Sequence, residues 1–146
     1  MKWYILLLLF VVSAYSSIVK QEPVSPVVPE FSPYNDNGNL DLLKLVSVKE
    51  GQTIGLKAQN NLFVGVVQQI IKDKETLNII GKFLNPNHGE FVFSFERLSN
   101  KETHVVGVLL FKNLNKLYSL ELNKETKQLE FQEKQINSTD DDKVVN

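Results

Sequence analysis

From Leu40 onward the chain is a succession of short apolar runs separated by turn-forming residues, and within the runs apolar and polar side chains tend to alternate. The pattern predicts strands near Leu42–Val48, Gln52–Ala58, Leu62–Lys72, Leu77–Leu84, Glu90–Leu98, Thr103–Lys112, Leu117–Leu122 and Lys127–Lys134. The alternation is cleanest in EFVFSFER, where Phe91, Phe93 and Phe95 share one face, Glu90, Ser94 and Glu96 share the other, and Val92 alone breaks the polar side. HVVGVLLF and NIIGKFL are instead apolar on both faces, which predicts central strands covered on both sides by a second sheet or by a closing barrel wall.

The connectors KEG, QNN, DKET, NPNHG, SNKE, NLNK and NKET are all short. Parallel strands need crossovers of about a dozen residues or more, so these connectors imply hairpins. The expected fold is all-β: an antiparallel meander of about eight strands, forming a small barrel or a two-sheet sandwich. Gly55, Gly65, Gly81 and Gly107 fall inside strand patterns, where a glycine marks a bend or a close approach and so suits a strongly curved sheet.

Upstream of this domain, Lys2 precedes an uninterrupted apolar run from Trp3 to Val12 and then the small or polar residues Ser13, Ala14, Ser16 and Ser17. That is the layout of a secretory signal peptide over residues 1–16, with cleavage after Ala14 or Ser16. The run is far short of the roughly 20 residues that span a bilayer, so no stable membrane insertion is expected once the signal is removed. Residues 17–39 carry Pro23, Pro26, Pro29 and Pro33, a spacing that denies the backbone regular ladder donors and reads as an extended linker or a docked arm. Residues 40–136 form the β-domain, and residues 137–146, with Asp140, Asp141 and Asp142, an acidic flexible tail.

Composition narrows the chemistry. The chain has no cysteine, so an exported fold must hold without disulfides, and thiol, zinc-finger and thiol-redox sites drop out together. Sixteen Lys and Arg against 17 Asp and Glu give a formal charge of −1, with no basic stripe to neutralise nucleic-acid phosphates. The two histidines, His88 and His104, stand in no metal-ligand spacing; His88 near Glu90 reads as a loop residue beside a strand start. No nucleophile elbow surrounds a serine, and Ser94 alternates outward with two glutamates. No glycine-rich phosphate loop is present, since the glycines sit singly within strands. The expectation is a non-enzyme with no catalytic residues, no metal site and no cofactor. Asn137-Ser138-Thr139 is an N-glycosylation sequon, which makes Asn137 a candidate modification site in an exported chain.

The run LNIIGKFLNPNHGEFVFSFE, followed by VVGVLLFKNLNKLYSLELNKETKQLEFQEK, resembles the β-rich pro-segments that precede some secreted metallopeptidase domains. The resemblance covers Leu77 to Lys134 and rests on strand patterning. It implies a non-catalytic, secreted β-module that binds or folds beside another protein; the chain departs from that family in showing no peptidase domain, and no functional residues carry over. Two expectations follow. One is an extracellular protein partner, engaged by exposed strands or loops in a pro-segment-like or inhibitory way. The other is a small extracellular carrier whose barrel holds a small apolar ligand against Phe83, Phe91, Phe93, Phe95 and Phe111, residues that otherwise simply line the core.

A tetrapeptide recurs: NKET at Asn100–Thr103 and at Asn123–Thr126, with DKET at Asp73–Thr76. Each copy joins two strands, and its leading Asn or Asp suits a turn because the side chain can bond the backbone two residues on. A shared function would require the copies to meet on one rim.

Overall fold

A computed structural model describes residues 26–84, 88–98 and 100–136. The stretch read as a signal peptide, the sequon at Asn137 and the run expected as an acidic tail lie outside the described residues. Seven strands follow one another: β1 (Thr53–Ala58), β2 (Asn61–Lys72), β3 (Thr76–Phe83), β4 (Glu90–Arg97), β5 (Thr103–Phe111), β6 (Lys116–Leu122) and β7 (Leu129–Gln135). They form one sheet in the order of the chain, every neighbouring pair antiparallel. This all-β meander curls into a half-barrel rather than dividing into the two sheets of a sandwich.

The run expected as the first strand is a helical turn, α1 (Leu42–Leu45). Asp41 caps it, its carboxylate accepting from the backbone N–H of Leu43 at 2.9 Å and of Lys44 at 3.2 Å. Burial explains the difference. Leu45 and Val48 are buried three residues apart while Leu43 is 83% exposed, a helical spacing that alternation cannot satisfy.

The concave side of the sheet is the core. Phe63, Phe83, Phe91, Phe93, Phe95, Phe111, Tyr118 and Phe131 are all buried there, along with Ile54, Leu56, Ile79 and Leu109. The rings meet mostly in tilted or edge contacts, from 4.5 Å between Phe63 and Phe111 to 6.2 Å between Phe91 and Phe93, with Phe83 stacked on Phe111. Burying each contributes about 1.5–3 kcal/mol, and without disulfides this aromatic filling has to hold the curl.

The in-strand glycines make room for those rings. A side chain at Gly81 would overlap the Phe91 ring and the Val66 carbonyl, and at Gly107 a Cβ would stand 3.0 Å from the Phe93 ring. Curvature gains further from a bulge in β2, where the register with β3 shifts between Val67 and Gln69.

The convex side departs from expectation. Register places Ile80, Val92 and Val108 in one row across β3, β4 and β5, with Leu110 and Leu117 paired beside it. No second layer covers this face among the described residues: Val92 is 40% and Val106 44% exposed. The two-sided apolar pattern of β5 therefore reflects one core face and one exposed apolar face.

Candidate functional site

Five phenylalanines were candidates for a ligand-lined interior: Phe83, Phe91, Phe93, Phe95 and Phe111. All five are buried on the concave side, where Phe83 stacks on Phe111 at 4.7 Å and packs against Phe91 at 5.3 Å. Their rings fill one another's space. Among the described residues, Phe83 borders a surface hollow of about 280 Å³ beside Lys82, His88, Glu90 and Lys112, and none of the five borders a second hollow of about 300 Å³. His88 and Glu90 thus border one shallow depression, which Phe83 and Leu110 also line. His104 lies exposed on the convex side opposite Glu96, remote in sequence register from the Lys82–Glu90 pair. Among the described residues no group of three His, Asp or Glu is arranged to hold a metal ion.

The meander settles where the repeated tetrapeptide lies. Since successive antiparallel hairpins turn at alternate ends, the β2–β3, β4–β5 and β6–β7 connections share one rim, and these are the connections that contain DKET and both copies of NKET. The two NKET turns are built alike. Asn100 accepts from the Glu102 backbone N–H at 3.1 Å, and Asn123 accepts from that of Glu125 at 2.9 Å. Each asparagine amide also donates to a carboxylate, Glu102 at 2.8 Å and Glu130 at 3.1 Å respectively. Asp73 differs, accepting from the adjacent Lys74 N–H at 2.7 Å. These bonds account for the asparagines as turn formers, and the central Lys and Glu side chains face solvent.

A less obvious feature is the seam between the first and last strands, which are not hydrogen-bonded to each other as neighbours in the sheet. Part of the Pro-rich segment lies along it. Phe31 forms a parallel bridge with Ile54, its N–H donating to the Thr53 carbonyl at 3.0 Å and its carbonyl accepting from Gly55 at 3.1 Å. Because β2 occupies the other edge of β1, the arm must sit on the edge that faces β7. Pro29 packs over Gly55, where a Cβ would stand 2.9 Å from the proline ring.

Tyr34 fixes the arm's far end. Its hydroxyl accepts from the Lys57 backbone N–H at 2.6 Å and lies 3.4 Å from the Lys57 carbonyl, to which it donates, while the Lys57 ammonium sits 4.9 Å from the ring centroid. Burial pushes the Tyr34 hydroxyl up to about 12 from an ordinary 10.0, against the smaller opposing effect of the Lys57 backbone hydrogen bond. Across the seam, Gln59 Nε2 donates to Glu133 Oε2 at 3.3 Å. A hollow of about 300 Å³ opens there between Asn39, Leu40 and Lys57 on one side and residues 128–132 on the other.

Alternation alone left this seam illegible, because it depends on which strands end the sheet and on where the arm docks. Its one sequence signal was the apolar content of an otherwise linker-like stretch, Phe31 and Tyr34 above all. Comparison of the chain with protein-family models, with curated proteins and with solved structures returns no match.

Proposed function

We propose that this chain is an exported, non-catalytic β-module that binds a protein partner, in a pro-segment-like or inhibitory role. The observation that carries the reading is the contrast between a concave side filled by the module's own rings and a convex side that leaves Val92 exposed in a row with Ile80 and Val108, with Val106 exposed next to Val108 along β5. A contiguous apolar surface on a small folded domain is characteristic of an interaction face. The Pro-rich arm and the end strands of an open sheet supply further attachment points of the strand-addition kind.

The test uses the protein from its producing cells, cross-linked in the secreted fraction and identified by mass spectrometry, beside a Val92→Glu, Val106→Glu variant. The expected result is one recurrent protein cross-linked to wild type and lost with the variant, whose fold is verified by circular dichroism. Equal capture by both proteins, or none by either, overturns the reading.

A further inference from the structure

We infer that Asn37 is a site of spontaneous modification: its side chain condenses with the Gly38 nitrogen and leaves aspartate or isoaspartate in the turn that joins the arm to α1. The chain contains one Asn-Gly pair, Asn37-Gly38. Asparagine is a thermolabile residue, and its loss is fastest before glycine, where no side chain crowds the approach of the following nitrogen. The Gly38 nitrogen attacks the Asn37 side-chain carbonyl carbon, the carbon–nitrogen bond to the amide group breaks, and ammonia leaves carrying the Gly38 proton. Water then opens the cyclic succinimide. Opening at one carbonyl gives aspartate; opening at the other gives isoaspartate, whose main chain runs through the former side chain.

The fold selects among the asparagines. Asn35 Oδ1 accepts from the N–H groups of Asn37 and Asn39, both at 3.0 Å, while Asn100 and Asn123 each accept from a backbone N–H and donate to a carboxylate. Asn37 enters this network through its backbone N–H, and its carboxamide is exposed. Gly38 is exposed as well, with nothing within 4 Å of where a Cβ would stand. The restraint on the nucleophile is the hydrogen bond that the Gly38 N–H donates to the Asn35 carbonyl at 2.9 Å. That bond belongs to a surface turn outside the sheet ladders, the kind of segment that opens locally without global unfolding. The reaction therefore proceeds from the native chain, more slowly than from the denatured one.

The position gives this chemistry a consequence. Tyr34 and Leu40 form an antiparallel bridge around the turn, the Asp41 N–H donates to the Pro33 carbonyl at 2.7 Å, and the Lys44 ammonium donates to the Tyr34 carbonyl at 2.9 Å. The turn thus ties the arm to α1. Isoaspartate inserts a methylene into the main chain between the N–H groups of Asn37 and Gly38, which both bond Asn35, and adds a carboxylate where Gly38 and Asn39 border the seam hollow. The longer link no longer closes the same ring of hydrogen bonds on Asn35, and the adjoining Tyr34 loosens its hold on Lys57.

The test incubates the full chain under mildly alkaline, native conditions beside the same chain in denaturant, and locates isoaspartate by tandem mass spectrometry after labelling with an isoaspartyl methyltransferase. In the folded chain isoaspartate at position 37 should exceed that at any other asparagine by about tenfold or more. Asn37→Gln, which would have to close a larger and less favourable ring, should lose the signal and keep the fold. In the converted fraction, separated by ion exchange, the Lys57 amide that bonds the Tyr34 hydroxyl should exchange with solvent about threefold faster or more, with the β1–β2 ladder amides unchanged. Freshly prepared Asn37→Asp, which brings the charge without the longer chain, should exchange at Lys57 like wild type. Asn37 left intact in the folded chain while the denatured chain converts overturns the assignment, and so does conversion spread evenly over the asparagines. Lys57 exchange equal in converted and unconverted protein, or equally raised by Asn37→Asp, overturns the link to the arm through the lengthened turn.

Discussion

The two faces of this sheet are made from similar residues and do different work. On the concave side, Phe93, Gly107 and Leu109 mesh so closely that ring and glycine are matched across strands. On the convex side, Ile80, Val92 and Val108 form an equally continuous row that nothing covers among the described residues. An apolar pattern states that a face is suited to burial; whether it is buried within the fold depends on the curl, which gives one side an interior and the other only an outside. The difference teaches that substitutions of like chemistry on the two sides of one strand should have unlike consequences.

The largest contrast is expected at β4. Phe93→Ala removes a fully buried ring touching Phe91 and Phe131 and should cost about 3–5 kcal/mol, read by denaturant unfolding. Gly81→Ala acts on the same interior from the other direction, forcing a methyl group into the Phe91 ring and the Val66 carbonyl; about 1–3 kcal/mol should be lost, with a displaced Phe91 ring resonance. A Gly81→Ala protein as stable as wild type would mean the curl is looser than this packing implies.

At the seam the effect should be smaller and dependent on pH. Tyr34→Phe keeps the ring and removes the hydroxyl that bonds both the N–H and the carbonyl of Lys57, for about 1 kcal/mol. The native hydroxyl is harder to ionise than its unfolded counterpart, so its contribution is complete below pH 10.0 and is lost as pH rises through about 12. Thermal unfolding across that interval should show the wild-type advantage over Tyr34→Phe shrinking toward the alkaline end. A gap that stays constant would show that Tyr34 does not anchor the arm in this way.

Much of this arrangement was legible in the chain. Strict alternation in EFVFSFER identified the core face of β4, and short Asn- and Asp-led connectors identified the hairpins, because both signals are local. α1 was missed since Leu42, Leu43, Leu45, Val46 and Val48 suit either period, and only the Asp41 cap and the Leu45–Val48 spacing distinguish them. The covering layer expected over β5 was an inference from composition about tertiary neighbours, and no local pattern reports those. For the same reason the seam stayed hidden: which two strands end the sheet, and where the arm docks between them, follow from the curl and not from any local pattern. The tetrapeptides lay between these cases, with their turn chemistry readable and their common rim not.

The smallest effects belong to the convex side. Val92→Thr with Val106→Thr exchanges half-exposed side chains for polar ones of similar shape and should change stability by less than about 0.5 kcal/mol, an order below Phe93→Ala in the same hairpin. Beside them, Glu121 is held below its ordinary carboxylate value by the Lys134 ammonium at 2.6 Å and then by the Ser119 hydroxyl. A depressed carboxylate favours the fold above its unfolded pKa and loses that contribution as pH falls through the folded one. Lys134→Met should return Glu121 toward 4.5 in a carboxyl-carbon titration, with a melting temperature almost unmoved because an exposed pair contributes little. A large loss of stability in that variant would place a structural burden on the convex side, and the distinction between the two faces would fail there.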